Sequence, residues 1–307
     1  MNTLTLYIPR EGLKHQTGHS HPESPDRLNA ILSLLQKSPF MALPQIEATE
    51  AELHWIKRAH DPRYLERLEE MVPDYGQTYL DNDTVLSPGS WAAALTAAGA
   101  VCQAVEDVTS GKTMRAFCAV RPPGHHAFPD HGEGFCLLNN IVIGALHAQS
   151  LGCARIAIVD FDVHHGNGSD AMTRIHDNIF YASTHQCPLY PGTGHAKDNI
   201  PNRILNIPMK AGDGSLPFRQ VYEQRILPAV RHFQPDLLMI SAGFDAHKDD
   251  PLAQMELETA DFAWITAELA KLARECCRGK LVSALEGGYN LAALSDSVAA
   301  HLKALMD

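Results

Sequence analysis

Apolar and polar positions alternate along the chain in blocks, and each block has the period of a strand or of a helix. Short, nearly continuous apolar runs predict buried strands, whereas longer segments with one apolar face predict helices. The predicted strands are residues 3–9, 116–120, 157–160, 179–182, 204–207, 236–241 and 281–285. The predicted helices are residues 26–37, 63–71, 91–108, 139–150, 218–233, 257–277 and 291–306. We expect a surface loop over residues 73–88, which are polar and rich in turn formers.

This order of segments predicts an α/β fold with a mainly parallel sheet. Parallel strands need long crossovers, which are usually helices, and those helices then cover both faces of the sheet. We find no repeat, no low-complexity stretch and no linker, so the sequence predicts one domain over residues 1–307. It shows no leader peptide and no apolar run of membrane-spanning length, so we expect no membrane partner.

Unusual polar clusters follow the predicted strands. In open parallel sheets, ligands bind beyond the carboxyl ends of the strands. We therefore expect one site at that edge, built from residues 121–127, 160–168, 183–185, 243–247 and 286–289.

The segment that follows the predicted strand at 157–160 has the residues of a metal site. Asp162 and His164 are two positions apart, so on extended chain their side chains point to the same side. Asp245, which follows the strand at 236–241, is the best third ligand, although an isolated aspartate would more often cap a helix. Three protein ligands with one open position are typical of a catalytic zinc site.

Two adjacent histidines, His125 and His126, follow two prolines in a stiff loop. Histidine is the usual general acid and base near neutral pH, but a lone pair in a loop is more often structural. Next to a metal site, we expect the two rings to differ because they have different partners. Asp160 would raise the basicity of one ring, and the neutral Asn167 would leave the other more easily neutral.

Aromatic residues next to glycines predict the remaining parts of the site. Tyr289, after two glycines, could donate a hydrogen bond to an oxyanion, or it could simply pack on the core. Phe135, beside Gly134, and Tyr190 could wall a narrow apolar tunnel, although each ring taken alone is equally typical of a core.

Charge and cysteine content restrict the partners and the compartment. The formal net charge of −11 argues against nucleic acid and is compatible with a cationic substrate. The seven cysteines are scattered without Cys-x-x-Cys spacing, which fits free thiols in a reducing cytoplasm and argues against a thiolate metal site. We therefore expect a cytoplasmic protein.

Together these motifs resemble the zinc-dependent histone deacetylase family, most nearly its class II-like bacterial members. The motifs are HPESPDRL, RPPGHHA, GFCLLNN, DFDVHHGNG, YPGTG, SAGFDAHKDDPL and LEGGY, and they extend over almost the whole chain. The resemblance implies the three-layer α/β/α arginase-deacetylase fold, with a sheet of about eight strands.

The resemblance also implies a role for each matching residue. Zinc would be bound by Asp162, His164 and Asp245, and potassium by Asp160, Asp162, His164, Ser183 and Thr184. The implied catalytic residues are His126 as base and then acid, His125 paired with Asp160, Asn167, and Tyr289 as oxyanion donor. The implied substrate-binding residues are Gly134, Phe135, Tyr190 and Leu252. A second monovalent site would use backbone carbonyls near Thr173, His176, Ile179 and Arg203.

The implied activity is zinc-dependent removal of acetyl or short acyl groups from Nε-acyl-lysine or a similar small acylated amine. One alternative is an acetylpolyamine amidohydrolase, which Leu252 disfavours because a polyamine-selective relative carries an acidic residue there, although bacterial polyamine deacetylases restrict access differently. A less favoured alternative is a dimanganese ureohydrolase. Such enzymes need additional aspartates to bridge two metals, whereas this chain has His165 and Asn167 where a second metal would need carboxylates. The sequence gives no indication of the oligomeric state or of the natural substrate.

Overall fold

The structure is a computed structural model that describes residues 2–307. Its strands are β1 (Asn2–Ile8), β2 (Gln45–Glu47), β3 (Thr78–Tyr79), β4 (Val85–Leu86), β5 (Thr113–Cys118), β6 (Ile156–Asp160), β7 (Ile179–Gln186), β8 (Ile204–Met209), β9 (Leu237–Ala242) and β10 (Leu281–Leu285). Its helices are α1 (Pro25–Leu35), α2 (Leu53–Ile56), α3 (Pro62–Met71), α4 (Ser90–Thr109), α5 (Asn140–Ser150), α6 (Asn167–Thr173), α7 (Ser215–Val221), α8 (Leu227–Phe233), α9 (Thr259–Cys277) and α10 (Leu291–Met306).

Within the described residues, eight strands form one parallel sheet in the order β2-β1-β5-β10-β9-β6-β7-β8. The central strands β6, β9 and β10 are buried along their whole length, which explains their nearly continuous apolar sequence. Helices α4 and α5 pack together on the sheet, and α1, α9 and α10 form a second packed group. The predicted α/β fold with an eight-stranded parallel sheet is confirmed.

The register of the sheet brings the strand ends to one edge. Asp160 at the end of β6 lies beside Ser241 on β9 and Ser183 on β7. Leu285 at the end of β10 lies beside Ala242 at the end of β9. The loops that follow β6, β9 and β10 are therefore neighbours in space.

Strand β7 is longer than predicted. It continues to Gln186, so the cluster at 183–185 lies inside a strand rather than after one. Its polar side chains are buried but bonded: Ser183 Oγ lies 2.9 Å from His185 Nδ1, and Thr184 Oγ1 lies 3.1 Å from the Tyr222 hydroxyl. Polar sequence did not end the strand because the fold supplies partners for these groups.

Other segments also differ from the prediction. The predicted loop at 73–88 contains the antiparallel pair β3–β4, and the sequence did not predict β2, α2 or α6. The predicted helix at 218–233 consists of α7 and α8, which are joined by a π-helical turn at Tyr222–Ile226. Pro228 near the start of α8 has no N–H to donate, which favours this break in the regular pattern.

No helix in residues 2–307 combines the length and the apolar character needed to cross a membrane.

Candidate active site

Asp162, His164 and Asp245 lie together beyond the ends of β6 and β9. Each offers one ligand atom, and the three atoms lie within 4.8 Å of one another. His164 Nδ1 is 3.2 Å from Asp162 Oδ1 and 3.1 Å from Asp245 Oδ2. All three residues are buried, and no other group of this kind occurs in residues 2–307. The three side chains that the sequence predicted as zinc ligands are therefore adjacent in space.

Two glycines make room for the carboxylates. A Cβ on Gly243 would lie 2.0 Å from Asp162 Oδ2, and a Cβ on Gly287 would lie 2.1 Å from Asp245 Oδ2. The backbone also holds the carboxylates, because Gly287 N donates to Asp162 Oδ2 at 2.8 Å and Val163 N donates to Asp245 Oδ1 at 2.9 Å. Both glycines are thus required by close approach to the acidic groups.

The electrostatics of this group favour a bound cation. No lysine or arginine in the described chain forms an ion pair with Asp162 or Asp245. Burial and the neighbouring Asp162 carboxylate raise the pKa of Asp245 to about 7. Burial opposes a charge on His164, but hydrogen bonds to the two carboxylates raise its pKa to about 10. Buried negative charge without a permanently charged partner is the environment that a divalent ion stabilises, and two carboxylates with one imidazole are a donor set that fits zinc.

The two adjacent histidines have different partners. His125 Nδ1 lies 3.0 Å from Asp160 Oδ2, and His126 Nδ1 lies 2.8 Å from Asn167 Oδ1. Burial lowers the pKa of His125, but Asp162, Asp160 and Glu286 together raise it to about 10. Burial, with His125 and His164 nearby, lowers the pKa of His126 well below its ordinary value. These opposite shifts favour a charged ring at His125 and a neutral ring at His126.

Glu286, which directly follows β10, holds the loop that carries these histidines. Its Oε2 accepts hydrogen bonds from Gly124 N at 2.7 Å and His125 N at 3.1 Å, and Ser241 Oγ donates to its Oε1 at 2.9 Å. Burial raises the pKa of Glu286 to about 7. The sequence analysis placed Glu286 in a polar cluster but gave it no role. A charged residue directly after a buried strand was the signal that could have identified it.

A cavity of about 360 Å³ reaches the acidic group (Asp162, His164 and Asp245) at His164. Its lining includes the predicted residues His126, Gly134, Phe135, His164, Tyr190, Leu252 and Tyr289, together with His21, Pro22, Asp83 and Leu189. The rings of Phe135 and Tyr289 meet edge to face, with centroids 5.9 Å apart. Gly134 has a left-handed backbone (φ +55), and a Cβ there would lie 2.6 Å from His126 Cδ2.

Tyr289 lines the cavity, and a hydrogen bond to Asp250 holds its backbone in place. Its N–H donates to Asp250 Oδ2 at 2.7 Å, and the Arg27 guanidinium carbon lies 4.9 Å from its ring centroid. Burial raises the pKa of Tyr289 well above its ordinary value, so the phenol keeps its proton and can act as a hydrogen-bond donor.

The residues predicted to bind monovalent cations lie close to Asp160 but are largely engaged with protein partners. Asp160 accepts hydrogen bonds from Asp162 N at 3.1 Å and from the Tyr181 hydroxyl at 2.9 Å. Ser183 bonds to His185 within β7, and Thr184 bonds to the Tyr222 hydroxyl. At the second predicted site, the carbonyl of Thr173 accepts from His176 N at 3.1 Å and from Arg203 Nη2 at 3.3 Å. Binding of a monovalent ion at either place stays a prediction.

Comparison with known proteins agrees with this geometry. The family model described as the histone deacetylase domain matches residues 21–305. An uncharacterised protein of Synechocystis sp. is 40% identical over 99% of this chain and 99% of its own length. Histone deacetylase 14, chloroplastic, of Arabidopsis thaliana is 38% identical over 98% of this chain and 76% of its own length. The crystal structure of the HDA15 HD domain superposes with a TM-score of 0.94 at 33% identity, covering 100% of this chain and 90% of that one. On its sequence and its fold, this chain belongs to the histone deacetylase family.

Proposed function

We propose that this protein is a zinc-dependent deacylase that removes acetyl or short acyl groups from Nε-acyl-lysine or a similar acylated amine. The observation that carries the proposal is the cavity where His164 of the acidic group, the neutral His126 and the phenol of Tyr289 meet. Family membership supports an amidohydrolase, and the apolar cavity walls support a substrate with an aliphatic stem.

Asp162, His164 and Asp245 would hold the zinc ion. When bound, zinc would polarise the acyl carbonyl and acidify a water molecule. We expect the acyl-lysine stem to lie between Phe135 and Tyr190, with its carbonyl oxygen close enough to accept a hydrogen bond from Tyr289.

His126 would carry the proton through the reaction. Its Nδ1 is committed to Asn167, so Nε2 is the nitrogen available to the cavity. As water adds to the carbonyl carbon, Nε2 takes its proton, and when the C–N bond breaks the same nitrogen returns the proton to the leaving amine. His125 would stay protonated beside Asp160 and stabilise the negative charge that develops, and Tyr289 would donate to the oxyanion.

The hydrogen bonds around the group also support one metal ion rather than two. His165 Nδ1 lies 2.8 Å from Thr193 Oγ1 and its Nε2 lies 3.1 Å from Asn206 Oδ1, while Asn167 is bonded to His126. Both residues are therefore engaged where a second metal would need ligands, which disfavours a dimanganese ureohydrolase.

A comparison of activity in potassium and in tetramethylammonium buffers would test for a potassium ion near Asp160.

The test is a turnover panel of acetyl- and longer acyl-lysine peptides against acetylated polyamines, with and without a zinc chelator. Elemental analysis of the purified protein gives the metal and its stoichiometry. We expect one zinc per chain and chelator-sensitive release of free amine. Activity that survives complete zinc removal, or two manganese ions per chain, would contradict the proposal.

A further inference from the structure

Glu133 contacts two residues of the site without a role in the mechanism described above. Its Oε1 accepts a hydrogen bond from Asn167 Nδ2 at 2.6 Å and from the Tyr190 hydroxyl at 3.3 Å. Its side chain is 25% exposed, and the residue lies next to Gly134 in the same loop. The backbone fixes this loop, because Cys136 N donates to the Glu133 carbonyl at 2.9 Å.

The hydrogen bond to Glu133 decides which way the Asn167 amide points. An amide has a donating and an accepting end of nearly the same shape, whereas a carboxylate only accepts. Glu133 therefore requires the NH₂ end of Asn167, and the oxygen end is left facing His126 Nδ1 at 2.8 Å. An oxygen in that position requires a proton on Nδ1.

We propose that Glu133 is a positioning residue that selects the tautomer of His126 by orienting the Asn167 amide. The chain of bonds runs from the Glu133 carboxylate through Asn167 to His126 Nδ1, and it leaves Nε2 unprotonated toward the cavity. If the amide were reversed, its NH₂ group would face Nδ1, and the neutral ring would carry its proton on Nε2 instead. That ring could not accept a proton from water at the reacting carbon.

This inference rests on the proposed function for its effect on turnover, but the tautomer itself can be measured without a substrate. Histidine labelled with ¹⁵N in the zinc-loaded protein gives separate signals for protonated and unprotonated ring nitrogens. The His126 signals are identified by their absence from the His126→Ala protein. In the wild type we expect a protonated Nδ1 and an unprotonated Nε2, and the opposite pattern would overturn the inference.

Glu133→Gln is the main variant, because glutamine has the same shape but can present either a donor or an acceptor to Asn167. We expect mixed His126 tautomers and a fall in kcat of about fivefold to tenfold with little change in KM, as for loss of one hydrogen bond. Glu70→Gln is the matched control, since Glu70 is exposed on α3, and it should change neither reading. An unchanged His126 tautomer in Glu133→Gln would overturn the inference.

Tyr190→Phe separates positioning from packing. It removes the hydroxyl that donates to Glu133 Oε1 and keeps the aromatic ring, so it should leave the His126 tautomer as in the wild type. A tautomer change equal to that of Glu133→Gln would contradict the inference.

A double variant, Glu133→Gln with Asn167→Asp, tests the direction of the hydrogen bonds. The carboxylate introduced at position 167 accepts from His126 Nδ1, and it can also accept from the amide introduced at position 133. We expect this double variant to turn over faster than Asn167→Asp alone, because in that single variant two carboxylates would face each other. A double variant slower than Asn167→Asp alone would also overturn the inference. If the wild type turns over no acyl-lysine substrate, the proposed function fails while the tautomer measurements still decide the role of Glu133.

Discussion

At the scale of single residues, the site depends on neighbours that share a type but not an environment. His125 and His126 are consecutive, their ring centroids are 4.0 Å apart, and both are buried. The carboxylate of Asp160 keeps one ring charged, whereas the amide of Asn167 gives the other no compensating charge. One charged and one neutral imidazole can then perform different functions in one reaction.

The first prediction concerns the two groups that would contact the reacting amide. His126→Ala should lower turnover by roughly 10²- to 10⁴-fold through loss of the proton carrier. Tyr289→Phe should lower it by roughly 10²- to 10³-fold through loss of an oxyanion donor. Steady-state kinetics measure the loss, and elemental analysis should show that zinc remains bound in both. Turnover equal to that of the wild type in either variant would refute the role of that residue.

At the scale of elements, the ends of neighbouring strands supply the site, and close backbone approach holds it together. Glu286 follows β10, bonds to the loop after β5, and is also bonded by Ser241 of β9. Gly287 comes next and lies against both carboxylates of the acidic group, Asp162 and Asp245. A small change in this turn should therefore act directly on metal binding.

Gly287→Ala tests this arrangement. The added Cβ would lie 2.1 Å from Asp245 Oδ2 and 2.6 Å from Asp162 Oδ2, which forces the carboxylates apart. We expect at least a tenfold loss of zinc affinity, measured by competition with a chromogenic chelator. Gly152→Asn is the control, because nothing lies within 4 Å of a Cβ there and asparagine tolerates a positive φ. Full zinc affinity in Gly287→Ala would show that the turn yields without disturbing the ligands.

A second element-scale prediction concerns His301 of α10, which is fully buried and joins two other elements. Its Nδ1 lies 2.6 Å from Thr266 Oγ1 on α9, and its Nε2 lies 2.9 Å from Ser283 Oγ on β10. Burial lowers its pKa to about 3, so it stays neutral in the folded protein but takes up a proton when the chain unfolds below about pH 6.5. Stability that depends on this residue is therefore lost as the pH falls.

His301→Gln should remove that pH dependence. Between about pH 7.5 and pH 5.5, one such histidine makes the free energy of unfolding fall by about 1.4 kcal/mol. We expect the variant to be less stable than the wild type at the upper pH but to lose about that much less over the same interval, measured by urea unfolding. Parallel pH profiles for the two proteins would contradict the assignment of a neutral, buried His301.

At the scale of the whole molecule, the acidic group couples metal binding to folding. Asp162 and Asp245 are buried in a chain whose net charge is already −11, so a divalent cation would relieve repulsion that folding creates. An ion that binds only the folded protein must stabilise it.

Zinc removal should therefore lower the melting temperature. At a free zinc concentration about a hundredfold above Kd, binding adds about 2.7 kcal/mol to the free energy of unfolding. For a chain of 307 residues this corresponds to roughly 4 °C in Tm, which calorimetry with and without chelator would resolve. Asp162→Asn should show no comparable zinc-dependent shift. Equal melting temperatures with and without zinc in the wild type would argue against a zinc site at the acidic group.

The sequence by itself determined the sheet-forming pattern, the family and the chemical composition of the site. Buried parallel strands are apolar along their whole length, so β6, β9 and β10 could be recognised locally. Asp162 and His164 are two positions apart, and their spacing on extended chain needs no knowledge of the fold. The rule that strand ends meet at one edge then sufficed to place Asp245 beside them.

Only the tertiary structure decided which partner each polar group found. Glu286 reaches Gly124, 162 positions away, and Glu133 reaches Asn167, 34 positions away. Long-range contacts of the same kind satisfied polar residues of β7 and allowed that strand to continue to Gln186. Local periodicity reports which side of an element is buried, but hydrogen-bond partners are set by the packing of distant segments, and a single sequence does not encode those distances in its pattern.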